Sequence, residues 1–223
     1  MTEYRNANRA GTPRGESHSV EWFRYSGGEE SGTQSRVARI LAEWYDQGMK
    51  SVMALISDEL RKENVRALLI GGHALSAFGY QRATIDVDCL LAIPDVIVLH
   101  KALTKAGYRR IEQTQTFAHY THPSGYLLDV DVMLVDRATF DKLHAQSKRY
   151  RIGNVEMRVP CLPHLMALKL HAMKNNPKRE LKDLADIVEL LRANPGKVKS
   201  EQLPDICERE GPKNVFSKIE KHQ

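Results

Sequence analysis

Cysteine is scarce in this sequence, and no long apolar run is present. The three cysteines, Cys89, Cys161 and Cys207, are far apart and form no Cys-x-x-Cys pair. We therefore predict neither a disulfide framework nor a cysteine-ligated zinc site, and a reducing compartment is the natural setting. No apolar run reaches the roughly 18 residues that span a bilayer, and no apolar signal-peptide stretch follows the N-terminus. We expect a cytoplasmic protein that has no membrane partner.

The sequence also has no strong excess of one charge. Of its 223 residues, 42% are hydrophobic and 27% are charged, with a formal net charge of +5. These values are typical of a soluble globular protein, and the length allows one sizeable domain or two small ones. A mild positive charge fits an anionic partner such as a nucleotide or RNA, but it is also common on an ordinary solvated surface.

The N-terminal segment differs from the rest of the chain. Residues 1–34 are rich in Gly, Ser, Thr, Arg and Glu and lack apolar periodicity, so we expect a disordered arm. From Val37 to Asn64 apolar residues recur at helical spacing, which predicts one or two helices. We expect an α/β core over 35–160 and a C-terminal helical region over 161–223 that packs on this core.

The most informative stretch is Leu68–Leu91, LLIGGHALSAFGYQRATIDVDCLL. It predicts a short strand that ends at Gly71-Gly72, a helix, and a second strand that carries Asp86 and Asp88. A glycine pair before a helix allows close approach and offers free N–H groups, which is a usual way to hold phosphate. Residues two apart on a strand share a face, and paired carboxylates repel unless a cation binds or one pKa rises. Phosphate beside a hard metal ion indicates nucleotide chemistry.

A second acidic strand is predicted over Tyr126–Leu134, where Asp129 and Asp131 share one face and the opposite face is apolar. If this strand lies beside the Asp86/Asp88 strand, one of its carboxylates completes a three-acid cluster that can hold two divalent ions. The alternative is an edge strand with a hydrated face.

Further elements complete the fold prediction. A helix starts near Pro94 and ends by Gly107, two strands follow at 108–111 and 116–122, and a hairpin covers 149–159 around Gly153-Asn154. Together they predict an α/β (α+β) fold. Its mixed central sheet is flanked by helices, and its C-terminal part is helical.

Two amphipathic helices are predicted at 163–175 and 179–192. Lys169 falls in the middle of the apolar face of the first helix, where a lysine needs an anionic partner or must extend to solvent. A triphosphate is one candidate partner. On the second helix, Asp183 and Asp186 either pair with Lys169 or help to orient substrate. The expected buried residues of that helix are Leu181, Leu184, Ala185, Val188 and Leu191.

These residues carry a resemblance to a known superfamily. Ile70-Gly71-Gly72, a spacer and Asp86-Val87-Asp88-Cys89 resemble the signature of the polymerase-β-type nucleotidyltransferases. The longer string GGHAL…GYQRATIDVD is similar to minimal nucleotidyltransferases of the AbiEii/MenA toxin-like group. The segment LPHLMALKLHAMKNNPKRELKDLADIVELL resembles the C-terminal helices of that group. The likeness covers about Val65 to Leu191.

The resemblance implies a magnesium-dependent enzyme that transfers a nucleoside monophosphate from an NTP to an acceptor hydroxyl. Asp86, Asp88 and Asp131 would be catalytic and would bind metal, with two Mg²⁺ ions, or Mn²⁺ as an alternative. Asp131 fits the hydrophobic-Asp-hydrophobic strand of the family better than Asp129, which is the second choice. The predicted nucleotide-binding residues are Gly71, Gly72, Arg82, Thr84, Lys169 and Asp183.

The acceptor is not readable from the sequence: RNA or tRNA, a protein and a small molecule all fit. The likeness to toxins adds a toxin role, with an antitoxin protein as partner. Two other functions compete with nucleotidyl transfer. A nucleotide-sugar glycosyltransferase also uses Asp-x-Asp to hold metal but does not need the glycine pair, and a non-catalytic nucleotide-binding module rarely needs three acids.

Overall fold

The two acidic strands lie side by side in one mixed sheet. The computed structural model describes residues 47, 52–152 and 155–222. The arm expected over 1–34, the start of the helical stretch expected from Val37, and the turn at Gly153-Asn154 lie outside the described residues. The strands are β1 (Leu68–Leu69), β2 (Asp86–Ala92), β3 (Arg109–Gln113), β4 (Phe117–Thr121), β5 (Asp129–Val135), β6 (Lys148–Ile152) and β7 (Val155–Val159).

The order of the strands puts β2 and β5 near the centre of the sheet. The seven strands run in the order β3-β4-β5-β2-β1-β7-β6. The pairs β2–β5 and β1–β7 are parallel, while β1–β2, β3–β4, β4–β5 and β6–β7 are antiparallel. The predicted mixed sheet and the hairpin of β6 and β7 are therefore confirmed.

Helices flank the sheet. Residues 52–62 are helical (α1) and precede β1, as the apolar spacing predicts. No helix of the described residues is long and apolar enough to cross a membrane. The other helices are α2 (Gly71–Leu75), α3 (Val96–Lys105), α4 (Arg137–Ala145), α5 (Leu162–Asn175), α6 (Glu180–Ala193), α7 (Gln202–Glu210) and α8 (Val215–His222).

Strand alternation gives β2 and β5 one fully apolar face. Val87 of β2 and Val130 and Val132 of β5 are fully buried in the main core, which also contains side chains of α1, α3, α5 and α6. The other face carries the acidic residues at one end, and further along β2 it carries Leu90 and Ala92 in a smaller core under α4. Both faces are covered, so the acidic end of β2 and β5 is held by a rigid scaffold.

Two features of the sequence prediction need correction. Helix α4 was not predicted, although Asp136 is a favourable N-cap whose side chain accepts a hydrogen bond from the Thr139 N–H at 2.9 Å. The second acidic strand begins at Asp129, so Tyr126 lies outside it and is 70% exposed.

The buried face of α6 was also predicted wrongly. Leu181 is 85% exposed and Ala185 is exposed, whereas Asp183 and Asp186 are buried at 0% and 1% exposure. The cause is ionic. Cationic side chains pair with both carboxylates and offset the free-energy cost of burying them, so the buried face of α6 includes two charged residues. The complete buried set of α6 is Asp183, Leu184, Asp186, Ile187, Val188 and Leu190.

Candidate active site

Three carboxylates meet at one end of the two central parallel strands. The register pairs Asp88 with Asp131 and Asp86 with Asp129. Ligand oxygens of Asp86, Asp88 and Asp131 all lie within 4.8 Å of one another. Asp129 is not part of this group, and its side chain is 43% exposed. The structure therefore brings together the three acids that the sequence analysis preferred.

The surroundings of Asp88 and Asp131 favour the neutral form of these two carboxyl groups. Burial, together with the charges of Asp86 and Asp131, raises the pKa of Asp88 to about 6, while Lys169 and Arg179 act in the opposite direction. Burial also raises the pKa of Asp131, although less strongly. Three close oxygens of this kind are the ligands that hard divalent cations prefer, so the residues present fit a metal site.

The glycine pair brings the backbone against this cluster. Gly71 has a φ of +62°, and a Cβ atom there would lie 1.8 Å from Asp88 Oδ2. A Cβ atom on Gly72 would lie 2.7 Å from the Cβ atom of Thr84. Thr84 in turn donates a hydrogen bond of 2.6 Å from its hydroxyl to Asp86 Oδ1. The predicted residues Gly71, Gly72 and Thr84 thus border the acids, and no larger residue fits at Gly71.

A buried ionic network lies beside the cluster and joins α5 to α6. Lys169 Nζ donates to Asp183 Oδ1 at 3.2 Å and to Asp186 Oδ2 at 2.6 Å. Arg82 makes two bonds to Asp186, of 2.7 and 3.0 Å, and Arg179 donates to Asp183 Oδ2 at 2.9 Å. The structure therefore contains the ion pair that the sequence analysis gave as one alternative for Lys169 and Asp183. Contact of Lys169, Arg82 or Asp183 with a nucleotide stays a prediction.

The positive charge of this network reaches the acid cluster. Lys169 and Arg179 lower the pKa of Asp88, and the charges of Asp88 and Asp86 raise the pKa of Arg179. The side chain of Arg179 is 45% exposed, whereas that of Lys169 is 6% exposed. Arg179 is therefore the more accessible cation near the acids, and the sequence analysis did not select it.

His119 is a second residue that the sequence analysis missed. It lies on β4 opposite Asp131, and its Nδ1 atom is 2.6 Å from Asp131 Oδ1. Its Nε2 atom lies 4.0 Å from Asp129 Oδ2. The imidazole thus holds one oxygen of Asp131 and leaves the other available. A strand over 116–122 was predicted, but only the pairing of β4 with β5 reveals the partner of His119.

Comparisons with known proteins agree with this geometry. The model of a family described as "Uncharacterised nucleotidyltransferase" matches residues 36–217. No curated protein matches the chain.

Solved structures show the same fold. An antigenic nucleotidyltransferase-like protein from Paracoccidioides brasiliensis is 19% identical with a TM-score of 0.50, covering 79% of this chain and 94% of its own. The antibiotic-resistance factor ANT(2'')-Ia is 13% identical in its solution structure with a TM-score of 0.55, covering 78% of this chain and 97% of its own. Its complex with adenylyl-2''-tobramycin gives 11% identity and a TM-score of 0.52, over 77% and 96% of the two chains.

The chain thus shares its fold with nucleotidyltransferase-like proteins. The family match covers most of the chain and separates this protein from the nucleotide-sugar glycosyltransferases that the Asp-x-Asp pair also allows. The chain belongs to the family described as uncharacterised nucleotidyltransferase and is a nucleotidyltransferase.

Proposed function

We propose that this protein transfers a nucleoside monophosphate from an NTP to an acceptor hydroxyl with the help of a divalent metal. The observation that carries the proposal is the meeting of Asp86, Asp88 and Asp131 within 4.8 Å, on two adjacent strands and against a glycine backbone. A module that only binds nucleotide does not need three converging carboxylates, two of which have a raised pKa.

The three acids would hold Mg²⁺, or Mn²⁺ in its place, and three carboxylates can serve two ions. When bound there, the metal would supply positive charge that stabilises the phosphates. In the transfer, the acceptor oxygen forms a bond to the α-phosphorus, and the bond from the α-phosphorus to the pyrophosphate leaving group breaks. Asp131 lies on the neighbouring strand and either accepts the proton of the acceptor hydroxyl or holds the second ion. His119 fixes the orientation of Asp131 in both cases.

The residues around the acids would bind the nucleotide. The backbone N–H groups of Gly71 and Gly72 lie against the cluster and would meet the β- and γ-phosphates. Thr84 holds Asp86 in position. Arg179 is the accessible cation that can reach a phosphate. Lys169, Arg82 and Asp183 would act from the ionic network, by charge and by fixing α5 against α6.

The architecture suggests how the chain is divided. We propose that the core over 35–160 carries the acids and that the helical region over 161–223 packs on it and supplies Lys169 and Arg179. The arm over 1–34 is then dispensable for the chemistry. All three cysteines (Cys89, Cys161 and Cys207) are free, which supports a cytoplasmic setting.

The substrate specificity of the proposed enzyme depends on which class of molecule carries the acceptor hydroxyl. The complex of ANT(2'')-Ia with adenylyl-2''-tobramycin shows that this fold can accommodate a small adenylylated molecule, which favours a small-molecule acceptor. RNA, tRNA or a protein is the acceptor if the chain is a toxin of the AbiEii/MenA-like group, in which case an antitoxin protein is its partner.

A label-transfer assay tests the proposal. Each of the four NTPs, labelled at the α-phosphorus, is incubated with Mg²⁺ and with total RNA, soluble protein or a small-molecule extract. The wild type is expected to label one fraction, and Asp88→Asn is expected to label none because a metal ligand is lost. The exposed substitution Asp205→Asn is the matched control and should leave the label unchanged. Equal labelling by wild type and Asp88→Asn would refute the metal site.

A further inference from the structure

A second concave site lies away from the acid cluster. It is a cavity of about 560 Å³, which is within the usual range for small-molecule sites, about 300–1,000 Å³. We call it the arginine cavity. Its walls come from α1, the segment before β1, α4, β6 and β7: Ile56, Ser57, Leu60, Arg61, Asn64, Val65, Arg66, Ala67, His144, Arg149, Glu156, Met157 and Arg158.

The strand register separates the arginine cavity from the acid cluster. Antiparallel pairing sets Leu69 opposite Cys89, and the Ile70 N–H donates to the Asp88 carbonyl, so the chain after β1 runs toward the acids. The cavity is lined by residues 64–67, which precede β1 at its opposite end. At about 3.3 Å per strand residue, the chain from Ala67 in the cavity wall to Gly71 at the acids spans about 13 Å. A ligand in the cavity is therefore distinct from the NTP of the proposed reaction.

The lining of the cavity is strongly cationic. It contains Arg61, Arg66, Arg149 and Arg158 but a single carboxylate, Glu156. Arg149 is paired with Glu156 at 2.9 Å. Arg61 and Arg66 pair with acids that do not line the cavity, namely Asp58 and Asp141.

The positive charge of Arg158 is not neutralised by a carboxylate of the described residues. Its Nη1 atom donates to the Ser147 carbonyl at 3.2 Å and to the Ser147 hydroxyl at 3.0 Å. Among the residues that the structure describes, no carboxylate forms an ion pair with it. Burial lowers the pKa of the neighbouring His144, and the charges of Arg66 and Arg158 lower it further, which is the sign of a positive field. An anion would relieve this field.

The floor of the cavity is closed by the main core. Ile56, Leu60 and Met157 line it, and all three are buried. The arginine side chains are therefore the groups that can recognise a ligand. Guanidinium groups bind phosphate through two parallel N–H bonds, and they also stack on flat rings. A ligand that has a flat, weakly polar part and a phosphate group uses both kinds of contact.

We propose that the arginine cavity binds a phosphate-bearing small molecule of about mononucleotide size, at a site separate from the acid cluster. The assignment needs no catalytic step and does not depend on the proposed transfer reaction.

Equilibrium dialysis with labelled adenosine 5′-monophosphate, in EDTA, tests the proposal. Without a cation, the three carboxylates of the acid cluster repel a phosphate, and the cavity variants show whether the remaining binding lies in the arginine cavity. Arg158→Gln is expected to weaken binding by about tenfold or more, the usual loss when a charge-assisted hydrogen bond is removed. Excess inorganic phosphate should compete if the phosphate group dominates recognition.

Two further variants complete the design. Arg66→Gln changes an exposed side chain, so it provides the same test if Arg158→Gln folds poorly. Arg192→Gln is the matched control, because Arg192 is exposed and ion-paired in the same way but lies on α6, outside the cavity. The control should bind as the wild type does.

Three results would overturn the assignment. They are the absence of binding by the wild type in EDTA, equal binding by the wild type and both cavity variants, and an equal loss of binding in Arg192→Gln. A fourth result would also reject the small-molecule ligand. In it, the wild type binds single-stranded RNA in EDTA but not adenosine 5′-monophosphate, and Arg158→Gln abolishes the RNA binding. The cavity would then be a polymer site. None of these results bears on label transfer, which is measured with Mg²⁺ and Asp88→Asn.

Discussion

The strongest test of the acid cluster is the stability of Asp88→Asn in the absence of metal. Burial, together with the charges of Asp86 and Asp131, raises the pKa of Asp88 from 3.8 to about 6. The folded protein therefore favours a neutral group at this position, and asparagine supplies one of the same size. The difference between the two pKa values corresponds to about 3 kcal/mol. Because Asp88 keeps some exposure to solvent, this is an upper value.

The sign of the pH dependence follows from the direction of the shift. A raised folded-state pKa gives stability that is fully present below about pH 3.8 and is lost as the pH rises through about 6. The free energy of unfolding of the wild-type protein should therefore be lower than that of Asp88→Asn, by about 1 kcal/mol at pH 4.5 and by about 3 kcal/mol at pH 8. The substitution stabilises the protein while it removes activity.

Thermal unfolding in EDTA at these two pH values measures the effect. For a chain of this length, 3 kcal/mol corresponds to a rise in Tm of about 6–12 °C, and the rise should be much smaller at pH 4.5. Asp205→Asn, which changes an exposed carboxylate, should show little effect. Mg²⁺ should raise the Tm of the wild type more than that of Asp88→Asn. A gain that is equal at both pH values, or a loss of stability at pH 8, would refute the argument.

Three other substitutions test separate contacts. Gly71→Ala should destabilise the protein by about 2–4 kcal/mol in urea unfolding, because its Cβ atom would lie 1.8 Å from Asp88 Oδ2. Gly196 also has a positive φ but has open space around it, so Gly196→Ala should lower the free energy of unfolding by about 1 kcal/mol. Lys169→Met should destabilise by about 3–5 kcal/mol, because two buried carboxylates lose a partner, and an unchanged urea midpoint would contradict the ionic network. His119→Phe should raise the Mg²⁺ concentration for half-maximal transfer by about tenfold, and His119→Gln, which keeps a donor, by less. An unchanged Mg²⁺ requirement in His119→Phe would show that His119 does not orient Asp131.

Much of the fold was predictable because its signals are local. Alternation in Asp86–Ala92 and Asp129–Val135 predicts two strands with one acidic and one apolar face, and the structure confirms both. The glycine pair predicts the turn into a helix. The missed helix Arg137–Ala145 has a low content of apolar residues, so its periodicity is weak, and the N-cap Asp136 is its clearest signal. Local patterns thus predict elements when apolar spacing is strong.

The candidate site was less predictable, because it depends on which strands become neighbours. The sequence could not decide between Asp129 and Asp131 on spacing alone, since both share one face. The register of β2 with β5 sets each of them beside an acid of β2, and the positions of the side-chain oxygens then place Asp131, but not Asp129, in the cluster. His119 joins the site for the same reason, through the pairing of β4 with β5. The alternation of apolar and polar residues within one strand does not show which other strand it pairs with.

The error on α6 has a specific physical cause. Apolar periodicity assumes that carboxylates face water, and it therefore placed Leu181 inside and Asp183 at the margin. The structure reverses this, because Lys169, Arg82 and Arg179 supply three cations for the two carboxylates Asp183 and Asp186. A helix face that carries paired charges can be buried as completely as an apolar one.

The same network places positive charge beside the acid cluster. Three cations against the two carboxylates of α6 leave one net positive charge beside the acids. Lys169 and Arg179 lower the pKa of Asp88, so they offset part of the repulsion from Asp86 and Asp131. Arg179 is also partly exposed and can turn toward a phosphate, whereas Lys169 is enclosed. The enclosed cation therefore stabilises the folded state. We propose that the exposed cation, which is paired with Asp183, is the one that reaches the nucleotide.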